Sequence, residues 1–472
     1  MSYYAIISTL KNVRKHPNAD RLQLAEVCGN TVCVSLDYVE GQLGIYFPTD
    51  GQLSVEFAEA NNLLRKKDEN GNNIGGYMDP DKRNVTAIKL RGEKSDGLFL
   101  PLNCLESFGD ITKLKVGEHI DIFNGHEICT KYIPKRQTRQ GHISDGNRTR
   151  KAKFKSLPTA PLFKEHADTE QLAYNLSAFK SGDEIEITLK MHGTSQRTGY
   201  LPILKGYKRT LLDRILRRRG TPIYDYGYVS GTRRTVLDSY DGGFYGNNKF
   251  REPHAKIFEG KLWKGETVYY EVVGFTTSGQ PIMGSVSNSK LNDKEFIKQY
   301  GNETVFSYGC EPNRSESEEY VSDKPQSDIY VYRMTMTNPD GEVVEYTPDF
   351  MRYRCEQMGV KTVPVFAKGH IKETHDSFPF IDYYDATTNS NSSVCRGDNF
   401  GECVRYVAEQ YYDGPDPVGK THIREGVVVR ITNRPKFAAY KHKNFSFKVL
   451  SGIVLDNIDE TATISEDLLS EM

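Results

Sequence analysis

Short segments in which apolar and polar residues alternate recur along most of the chain. In Glu184–Leu189 every second residue is apolar, which is the period of a half-buried strand. Thr31–Leu36, Gln42–Phe47 and Val268–Phe275 are also rich in the residue types that favour strands, and turn residues separate them from their neighbours. The chain is therefore predicted to contain many short strands.

Length and charge limit the classes of protein that this chain can belong to. Its 472 residues suggest two or three domains at about 150 residues each, and its 37% apolar and 26% charged fractions are typical of globular proteins. Because 62 Lys and Arg residues are balanced by 63 Asp and Glu residues, the chain is not a polycation that coats nucleic acid by charge alone. Any basic site must be local.

Other features exclude membrane and disulfide-rich classes. No stretch of 18 uninterrupted apolar residues is present, which argues against a membrane span, and the first twenty residues lack the apolar core of a secretory signal. The eight cysteines are scattered and form no Cys-x-x-Cys pair, so neither a zinc ribbon nor a disulfide framework is indicated. We expect a cytoplasmic protein with reduced thiols and no membrane partner.

Changes in composition predict four regions. Residues 1–125 carry the first group of short strands and predict a small β-barrel or sandwich. Residues 126–156 form a basic linker, in which nine basic residues and one acidic residue lie between Lys131 and Ser156; such a run is either a solvated face or a strip that contacts phosphates. A larger domain spans 157–455, and an acidic tail spans 456–472. Within the larger domain, Thr210–Arg219 has a helical apolar stripe beside a second basic cluster.

The segment His16–Leu22, with sequence HPNADRL, has two interpretations. It resembles the first loop of the OB-fold tRNA-binding modules that are attached to some aminoacyl-tRNA synthetases. It is equally a turn whose backbone geometry is set by Pro17 and Asn18.

A lysine at the end of a predicted strand is the first candidate for chemistry. Lys190 follows Glu184–Leu189 and precedes His192 and Gly193, where the chain must turn. A lysine held by a strand beside a glycine that lets a ligand approach is a plausible nucleophile. Taken alone, the pattern fits equally well a solvent-exposed lysine before a turn.

Four further strand-like segments follow in order. Val268–Phe275 carries Glu271, Asp328–Met334 carries Tyr332, Arg424–Arg430 carries Glu425, and Tyr440–Phe447 places Lys441 and Lys443 on one face. With Lys190 these segments resemble motifs I, III, IIIa, IV and V of the covalent nucleotidyltransferases, the superfamily of ATP-dependent DNA and RNA ligases and mRNA capping enzymes. The match covers about 250 residues.

The resemblance implies a role for each residue. Lys190 would attack the α-phosphate of ATP to give a lysyl–AMP intermediate, once neighbouring cations and desolvation had lowered its pKa from the usual value near 10.4. Lys441 and Lys443 would neutralise phosphate charge, and Glu425 would anchor Mg²⁺ or Mn²⁺. The remaining cofactor-binding residues would be Glu271 on the ribose, Tyr332 on the adenine, Arg233 on ribose or phosphate, and His192 and Gly193 beside the nucleophile. Arg234 is an alternative to Arg233, and Lys448 is an alternative to the Lys441 and Lys443 pair.

Chain order points to one branch of the superfamily. Only 29 residues follow Lys443, far too few for the OB domain that DNA ligases and capping enzymes place there. An OB-like domain ahead of the ligase domain is similar to the RNA ligase family typified by the Deinococcus enzyme. The implied fold is α+β, with an N-terminal OB-like β-barrel followed by a ligase-type domain of two packed antiparallel sheets with helices. His192 departs from the aspartate that most ligases carry at this position.

These observations predict an ATP-dependent RNA ligase that joins 5′-phosphate and 3′-hydroxyl ends through lysyl–AMP and an adenylylated 5′ end. The alternatives are a DNA ligase or other nucleotidyltransferase of the same fold, and a non-catalytic nucleic-acid-binding protein with a degenerate ligase domain. The expected partners are ATP and RNA or a nicked RNA–DNA duplex, with no obligate protein partner. Residues from 157 onward are expected to suffice for self-labelling with ATP, whereas placing RNA ends requires residues 1–125 and the basic linker.

Lys190→Ala is expected to abolish labelling of the protein by α-labelled ATP, because the nucleophile is lost, and to leave the fold intact, because a strand-end polar residue contributes little to core packing. Label retained on denatured protein is the measurement, with circular dichroism as the control for folding. Labelling of the variant at another lysine would show that Lys190 is not the nucleophile, and labelling of the intact protein by GTP alone would indicate capping chemistry.

Overall fold

The computed structural model describes residues 3–71, 73–133, 159–216, 218, 220–242, 245, 247–312, 323–394, 397 and 399–456. The N-terminal region (residues 3–133) contains the strands β1 (Ala5–Thr9), β2 (Lys11–Lys15), β3 (Leu22–Val27), β4 (Asn30–Ser35), β5 (Leu43–Phe47), β6 (Gly51–Leu53), β7 (Lys66–Lys67), β8 (Asn73–Gly75), β9 (Asn84–Val85), β10 (Ala87–Leu90), β11 (Glu93–Asp96), β12 (Leu98–Pro101), β13 (His119–Ile120), β14 (Ile122–Phe123), β15 (His126–Glu127) and β16 (Cys129–Lys131).

The C-terminal region (residues 159–456) contains longer strands. They are β17 (Glu170–Gln171), β18 (Glu184–Leu189), β19 (Thr194–Lys208), β20 (Thr221–Gly231), β21 (Glu266–Gly274), β22 (Val286–Ser287), β23 (Glu303–Thr304), β24 (Ser327–Thr337), β25 (Val343–Glu345), β26 (Val365–Glu373), β27 (Pro379–Asp385), β28 (Ser390–Val394), β29 (Gly426–Ile431) and β30 (Ala438–Lys443). The helices of the chain are α1 (Val55–Ala60), α2 (Leu211–Ile215), α3 (Glu252–Lys256), α4 (Lys294–Tyr300), α5 (Pro348–Met358), α6 (Phe400–Glu409) and α7 (Phe445–Asp456).

The N-terminal region is built from small antiparallel sheets. The main ones have the strand orders β12-β5-β1-β13, β2-β3-β4 and β16-β6-β9. A single residue, Leu10, separates β1 from β2, so the chain passes directly from one sheet into the next. Strands of two to six residues form too few backbone hydrogen bonds with their neighbours to close the sheet into a barrel. In the described residues the predicted OB-like barrel is therefore not seen as a closed barrel.

The His16 segment forms a tight turn. The His16 side chain is buried, its Nε2 lies 3.1 Å from the carbonyl oxygen of Leu90, and its Nδ1 accepts a hydrogen bond from the backbone of Asn18 at 3.0 Å. These contacts fasten the turn to β10.

The C-terminal region has two larger sheets, and the chain as a whole is α+β, as predicted. A seven-stranded sheet has the order β17-β30-β29-β18-β26-β27-β28, and a five-stranded sheet has the order β20-β19-β21-β24-β25. Every neighbouring pair in these two sheets is antiparallel except β17 and β30. One apolar core contains side chains from both sheets, including Ile187 and Val427 from the first and Val268, Val272 and Val331 from the second.

The predicted strands agree with the observed ones except at one place. Glu184–Leu189 forms β18, but the segment predicted as a strand over Tyr440–Phe447 leaves the sheet after Lys443 and becomes α7. The cause is Asn444, whose side-chain oxygen accepts a hydrogen bond from the backbone of Phe447 at 3.1 Å and caps the helix. Residues 134–158, which hold most of the predicted basic linker, and the tail after residue 456 lie outside the described residues. No helix in the described part of the chain has both the length and the apolar character needed to cross a membrane.

The two regions meet through polar contacts. Lys448 of α7 forms a salt bridge with Asp96 of β11 at 2.6 Å, and both side chains are largely buried, with 13% and 8% exposed. A second salt bridge joins Lys89 to Asp293 at 2.5 Å, and here each side chain is 26% exposed. Replacing one partner of a buried pair leaves an uncompensated charge, whereas an exposed pair contributes little.

Lys448→Met is therefore expected to lower the free energy of unfolding by about 3 kcal/mol, because Asp96 stays buried without its partner. Lys89→Met is the matched control and is expected to cost less than about 1 kcal/mol. Urea denaturation measures both. Equal effects of the two substitutions would show that burial does not govern these contacts, and Asp96→Asn combined with Lys448→Met should recover part of the loss.

Candidate active site

Three neighbouring strands of the seven-stranded sheet end at the same level and bring Lys190, Glu425 and Lys443 together. Leu189 pairs with Val427, and Gly426 pairs with Lys443. The backbone N–H of Lys190 donates to the carbonyl oxygen of Gly426 at 3.0 Å, which extends the ladder to the lysine itself. The residues just beyond these strands are therefore adjacent, although more than 230 positions separate Lys190 from Glu425.

Glu425 is the centre of this group. Its Oε2 lies 2.9 Å from the Nζ of Lys190, and its Oε1 lies 3.5 Å from the Nζ of Lys443. Only 3% of the Glu425 side chain is exposed. Burial acts to raise the pKa of Glu425, but Lys190, His192 and Lys443 outweigh it and hold the pKa well below the usual range of a carboxyl group. Glu425 is therefore ionised at neutral pH.

The two lysines of β30 differ from each other. Burial together with the charges of Lys443 and Lys190 holds the pKa of Lys441 well below its usual value. Burial also opposes the charge of Lys443, yet Glu425 and Asp50 raise the pKa of that lysine above its usual value. Lys443 is thus a cation paired with Glu425, whereas burial and the neighbouring lysines oppose the charge of Lys441.

Two glycines let the chain pack closely at this point. A Cβ on Gly193 would lie 2.4 Å from the carbonyl oxygen of Val272. A Cβ on Gly426 would lie 2.1 Å from the carbonyl oxygen of His442, and the residue has a φ of +146°. A side chain at Gly193 would push the start of β19 away from β21, and a side chain at Gly426 would push β29 away from β30.

His192 lies beside the carboxylate. Its Nδ1 is 3.6 Å from Oε2 of Glu425, and its ring packs edge-on against Phe306 and Phe447, with centroid distances of 4.6 Å and 4.8 Å. Burial lowers the pKa of His192, although Glu425 acts in the opposite sense. The side chain is therefore neutral at pH 7, unlike the aspartate that most ligases carry at this position.

A cavity adjoins Lys190, and four of the nine predicted cofactor-binding residues line it. They are Lys190, Glu271, Tyr332 and Arg233, and Val428 and Phe437 also line this cavity. Tyr332 is the extra residue of a β-bulge, because Val331 pairs with Tyr270 and Arg333 pairs with Tyr269. The bulge directs the ring into the cavity, where its hydroxyl lies 3.0 Å from Oγ of Ser195.

Two residues from the segment before β17 were not predicted: His166, which lines the cavity, and Asp168, which contacts a residue that lines it. The ring of His166 packs edge-on against Tyr332 with a centroid distance of 4.9 Å, and Asp168 forms a salt bridge with Arg233. Burial and the charge of Arg333 hold the pKa of His166 well below its usual value, so this ring is neutral. An anion is therefore already paired with the arginine that was predicted to contact ribose or phosphate.

The N-terminal region also reaches the lysine cluster. Asp50 raises the pKa of Lys443, after the larger effect of Glu425, and it opposes the lowering of the pKa of Lys441. Burial lowers the pKa of Lys131 to about 8, an effect that Asp50 opposes and that Lys443 and Arg233 reinforce. Asp50 was not predicted, because nothing in its local sequence distinguishes it, whereas Lys131 is the first of the nine basic residues of the predicted linker. The structure places Lys448, the alternative motif V lysine, in the contact with Asp96 instead.

Comparisons with known proteins give similarity of fold only. Neither a protein-family model nor a curated protein matches the chain. Solved structures of an RNA ligase from Naegleria gruberi are similar over nearly the whole length. The structure with PPi has 16% identity and a TM-score of 0.49 and covers 97% of this chain and 99% of that chain. A mutant with ATP and Mn has 15% identity and a TM-score of 0.48, with 95% and 98% covered. A mutant with AMP and Mn has 15% identity and a TM-score of 0.49, with 94% and 97% covered.

Lys441→Met is expected to stabilise the folded protein by about 1 kcal/mol at pH 7 and to impair labelling by ATP, because the substitution removes a buried cation site that the neighbouring lysines oppose. A folded-state pKa below the unfolded value penalises folding most at low pH. The gain in stability should therefore shrink as the pH rises toward about 10.4, the unfolded value. Thermal unfolding across a pH series measures this. A gain that does not change with pH would show that Lys441 does not titrate as described.

Proposed function

We propose that the protein is an ATP-dependent RNA ligase that acts through a lysyl–AMP intermediate. The observation that carries this proposal is the convergence of Lys190, Glu425 and Lys443 beside a cavity lined by Glu271 and Tyr332. A primary amine, a cluster of cations and an aromatic ring with a nearby carboxylate are what a nucleophilic attack on a nucleoside triphosphate requires. A non-catalytic binding protein has no physical need to place one lysine beside two further lysines.

In the first step the amine nitrogen of Lys190 attacks the α-phosphorus of ATP. A nitrogen–phosphorus bond forms, the bond from that phosphorus to the bridging oxygen breaks, and pyrophosphate leaves with the electron pair. The proton lost from nitrogen passes to solvent. Because the pKa of Glu425 lies far below 7, this carboxylate is a poor proton acceptor. We assign it to holding the Nζ of Lys190 in position at 2.9 Å.

The cations act on the phosphates. Lys441, whose pKa is lowered by burial and by its lysine neighbours, is able to take up a proton when the triphosphate enters and then to stabilise the negative charge that builds up on the α-phosphate. Lys443 stays charged beside Glu425. Arg233 exchanges its carboxylate partner for a phosphate or ribose oxygen of the nucleotide. Tyr332 stacks on the adenine, and Glu271 accepts hydrogen bonds from the ribose.

The donor set fits a hard divalent cation. Mg²⁺ and Mn²⁺ are held in such sites by one or two carboxylates together with substrate phosphates, and Glu425 is a buried, ionised carboxylate at the reacting lysine. In the described part of the chain no three His, Cys, Asp or Glu side chains are grouped as a metal site, which suits a cation that takes its other ligands from the nucleotide. When bound, the metal would withdraw charge from the α-phosphate.

The later steps transfer AMP to RNA. An oxygen of a 5′-phosphate end attacks the phosphorus of lysyl–AMP, and Lys190 leaves as an amine. A 3′-hydroxyl then attacks the adenylylated end, and AMP is released. The choice of RNA over DNA is supported by chain order, because the candidate nucleic-acid module precedes the catalytic strands. We assign residues 157–455 to the ligase domain and 1–125 to that module.

The position of Asp50 and Lys131 changes one expectation. The sequence alone predicts that residues from 157 onward still label themselves with ATP. Because Asp50 bears on the charges of Lys441 and Lys443, we now expect the N-terminal region to contribute to the first step as well as to RNA placement.

A stepwise assay with α-labelled ATP and a nicked RNA duplex tests the proposal. The intact protein should give labelled protein, then adenylylated 5′ ends, then sealed RNA. Glu425→Gln should lower self-labelling at least about 100-fold, because a neutral amide pairs with neither lysine and is a poor ligand for a hard cation. Glu342→Gln, on an exposed loop, is the matched control. Full activity of Glu425→Gln would refute the charge role, and sealing of DNA nicks with no RNA sealing would favour the DNA ligase alternative.

A further inference from the structure

The segment that carries Lys190 passes from one large sheet to the other. β18 ends at Leu189 in the seven-stranded sheet, and β19 begins at Thr194 in the five-stranded sheet, so residues 190–193 make the crossing. The backbone N–H of Lys190 is still bonded to the carbonyl oxygen of Gly426 at 3.0 Å. The direction of the lysine side chain therefore depends on what holds the next three residues.

A tyrosine holds the middle of this crossing. The hydroxyl of Tyr308 accepts a hydrogen bond from the backbone N–H of His192 at 2.7 Å, and His192 is two residues after Lys190. Only 2% of Tyr308 is exposed, so little water can reach the hydroxyl to compete for the bond. A backbone donor that lost this acceptor would be left unsatisfied inside the protein, which is unfavourable.

Tyr308 has a backbone conformation that bulky residues rarely adopt. Its φ is +48°, in the left-handed region, and Gly309 follows with a φ of +80°. The two residues are the centre of a turn, which is closed by the bond from the backbone N–H of Cys310 to the carbonyl oxygen of Ser307 at 2.9 Å. A strained residue of this kind persists only where the surrounding structure holds it.

The loop at residues 416–422 supplies that support. A Cβ on Gly419 would lie 3.0 Å from the backbone carbonyl carbon of Tyr308 and 3.2 Å from its Cα, so loop and turn are in direct contact. The ring of His422 packs edge-on against the ring of Tyr308, with a centroid distance of 4.5 Å. Asp416 closes the loop, because its carboxylate accepts a hydrogen bond from the backbone of Gly419 at 2.5 Å and its own N–H donates to the carbonyl oxygen of His422 at 2.8 Å.

We propose that Tyr308 is a positioning residue for Lys190, on which it acts through the backbone of His192. The loop that supports Tyr308 continues to Glu425, three residues after His422, and Glu425 holds the Nζ of Lys190 at 2.9 Å. The lysine is thus oriented at its backbone and at its side chain by one continuous segment of the protein. A nucleophile must lie about 3–3.5 Å from the atom that it attacks, so a small displacement of the turn lowers the rate. The inference rests on the proposed function.

Tyr308 does not act as a base. Burial, together with the charge of Asp416, raises the pKa of Tyr308 well above its usual value, so the phenol is neutral at pH 7. Its contribution to the first step is the hydrogen bond to the turn, and the pH dependence of that step should not change when the hydroxyl is removed.

The experiment compares the first step with the last. Tyr308→Phe keeps the ring and removes the acceptor. It should lower kcat for self-labelling with α-labelled ATP about tenfold and leave KM for ATP within about twofold, because the turn, and not the nucleotide cavity, is disturbed. Sealing of RNA that already carries an adenylylated 5′ end should stay within about twofold, because the nitrogen of Lys190 forms no bond in that step. A merely structural loss would lower both activities.

Tyr228→Phe is the matched control. The hydroxyl of Tyr228 also accepts a backbone N–H, that of Gly260 at 2.6 Å, but this bond does not involve the turn that carries Lys190. The substitution should change neither activity.

A second variant approaches Tyr308 from the loop. Gly419→Ala places a Cβ 2.6 Å from the backbone nitrogen of Gly309, so it should displace Tyr308 and slow self-labelling by a similar factor. Combined with Tyr308→Phe it should cause no further loss, because both changes act through one hydrogen bond. Circular dichroism checks the fold of each variant, and if Gly419→Ala does not fold, Tyr308→Phe alone decides.

The outcomes separate this inference from the proposed function. Equal kcat of Tyr308→Phe and the unchanged protein overturns the inference, while labelling of both by ATP leaves the proposed function standing. Equal losses in self-labelling and in sealing of adenylylated RNA make Tyr308 a structural residue and also overturn the inference. A shifted pH profile of self-labelling in Tyr308→Phe would assign the hydroxyl to proton transfer instead of positioning. An unchanged protein that ATP never labels overturns the proposed function, and the inference with it.

Discussion

A single buried carboxylate holds the candidate active site together. Glu425 faces Lys190 on one side and Lys443 on the other, and these two lysines would otherwise repel each other and Lys441 across a site with little water. Apolar residues of the same strands, such as Ile187, Val427 and Val429, are fully buried below the charges. Their burial, at about 25 cal/mol per Å² of apolar surface, is what allows the sheet to keep three lysines at one edge.

Local patterns predicted the strands and the residues at their ends. The alternation in Glu184–Leu189 predicted the exact bounds of β18. Lys190, Glu425 and Lys443 converge because each lies within one residue of a strand end. The helix at Phe445 was missed although its signal was present, since Asn444 is a favourable capping residue before an apolar run. His166, Asp168 and Asp50 could not be predicted. Each reaches the site through tertiary packing, and no periodicity or spacing in the sequence marks a contact made over so many residues.

Helix α7 links the N-terminal region to the lysines of the candidate active site. It begins one residue after Asn444, whose backbone donates to the carbonyl oxygen of Glu425 at 2.8 Å, and its Lys448 pairs with Asp96 at 2.6 Å. Only five positions along the chain separate Lys443 from Lys448. A shift of the N-terminal region would therefore move the residue that supports Glu425. The described residues do not form the closed barrel that was predicted, but this matters less for function than the contact, because the contact is what approaches the site.

The salt bridge between Asp168 and Arg233 has a consequence for affinity. A solvent-exposed arginine loses no protein partner when it forms an ion pair with a phosphate. Arg233, in contrast, must first break its ion pair with Asp168. The net gain is the difference between two similar ion pairs, so it is small in either direction. Arg233 therefore selects an anion by its shape more than by its charge alone, and the anion dissociates readily. In the proposed ligase the cycle ends when AMP leaves the cavity. Weak and reversible binding of the nucleotide at Arg233 therefore favours turnover.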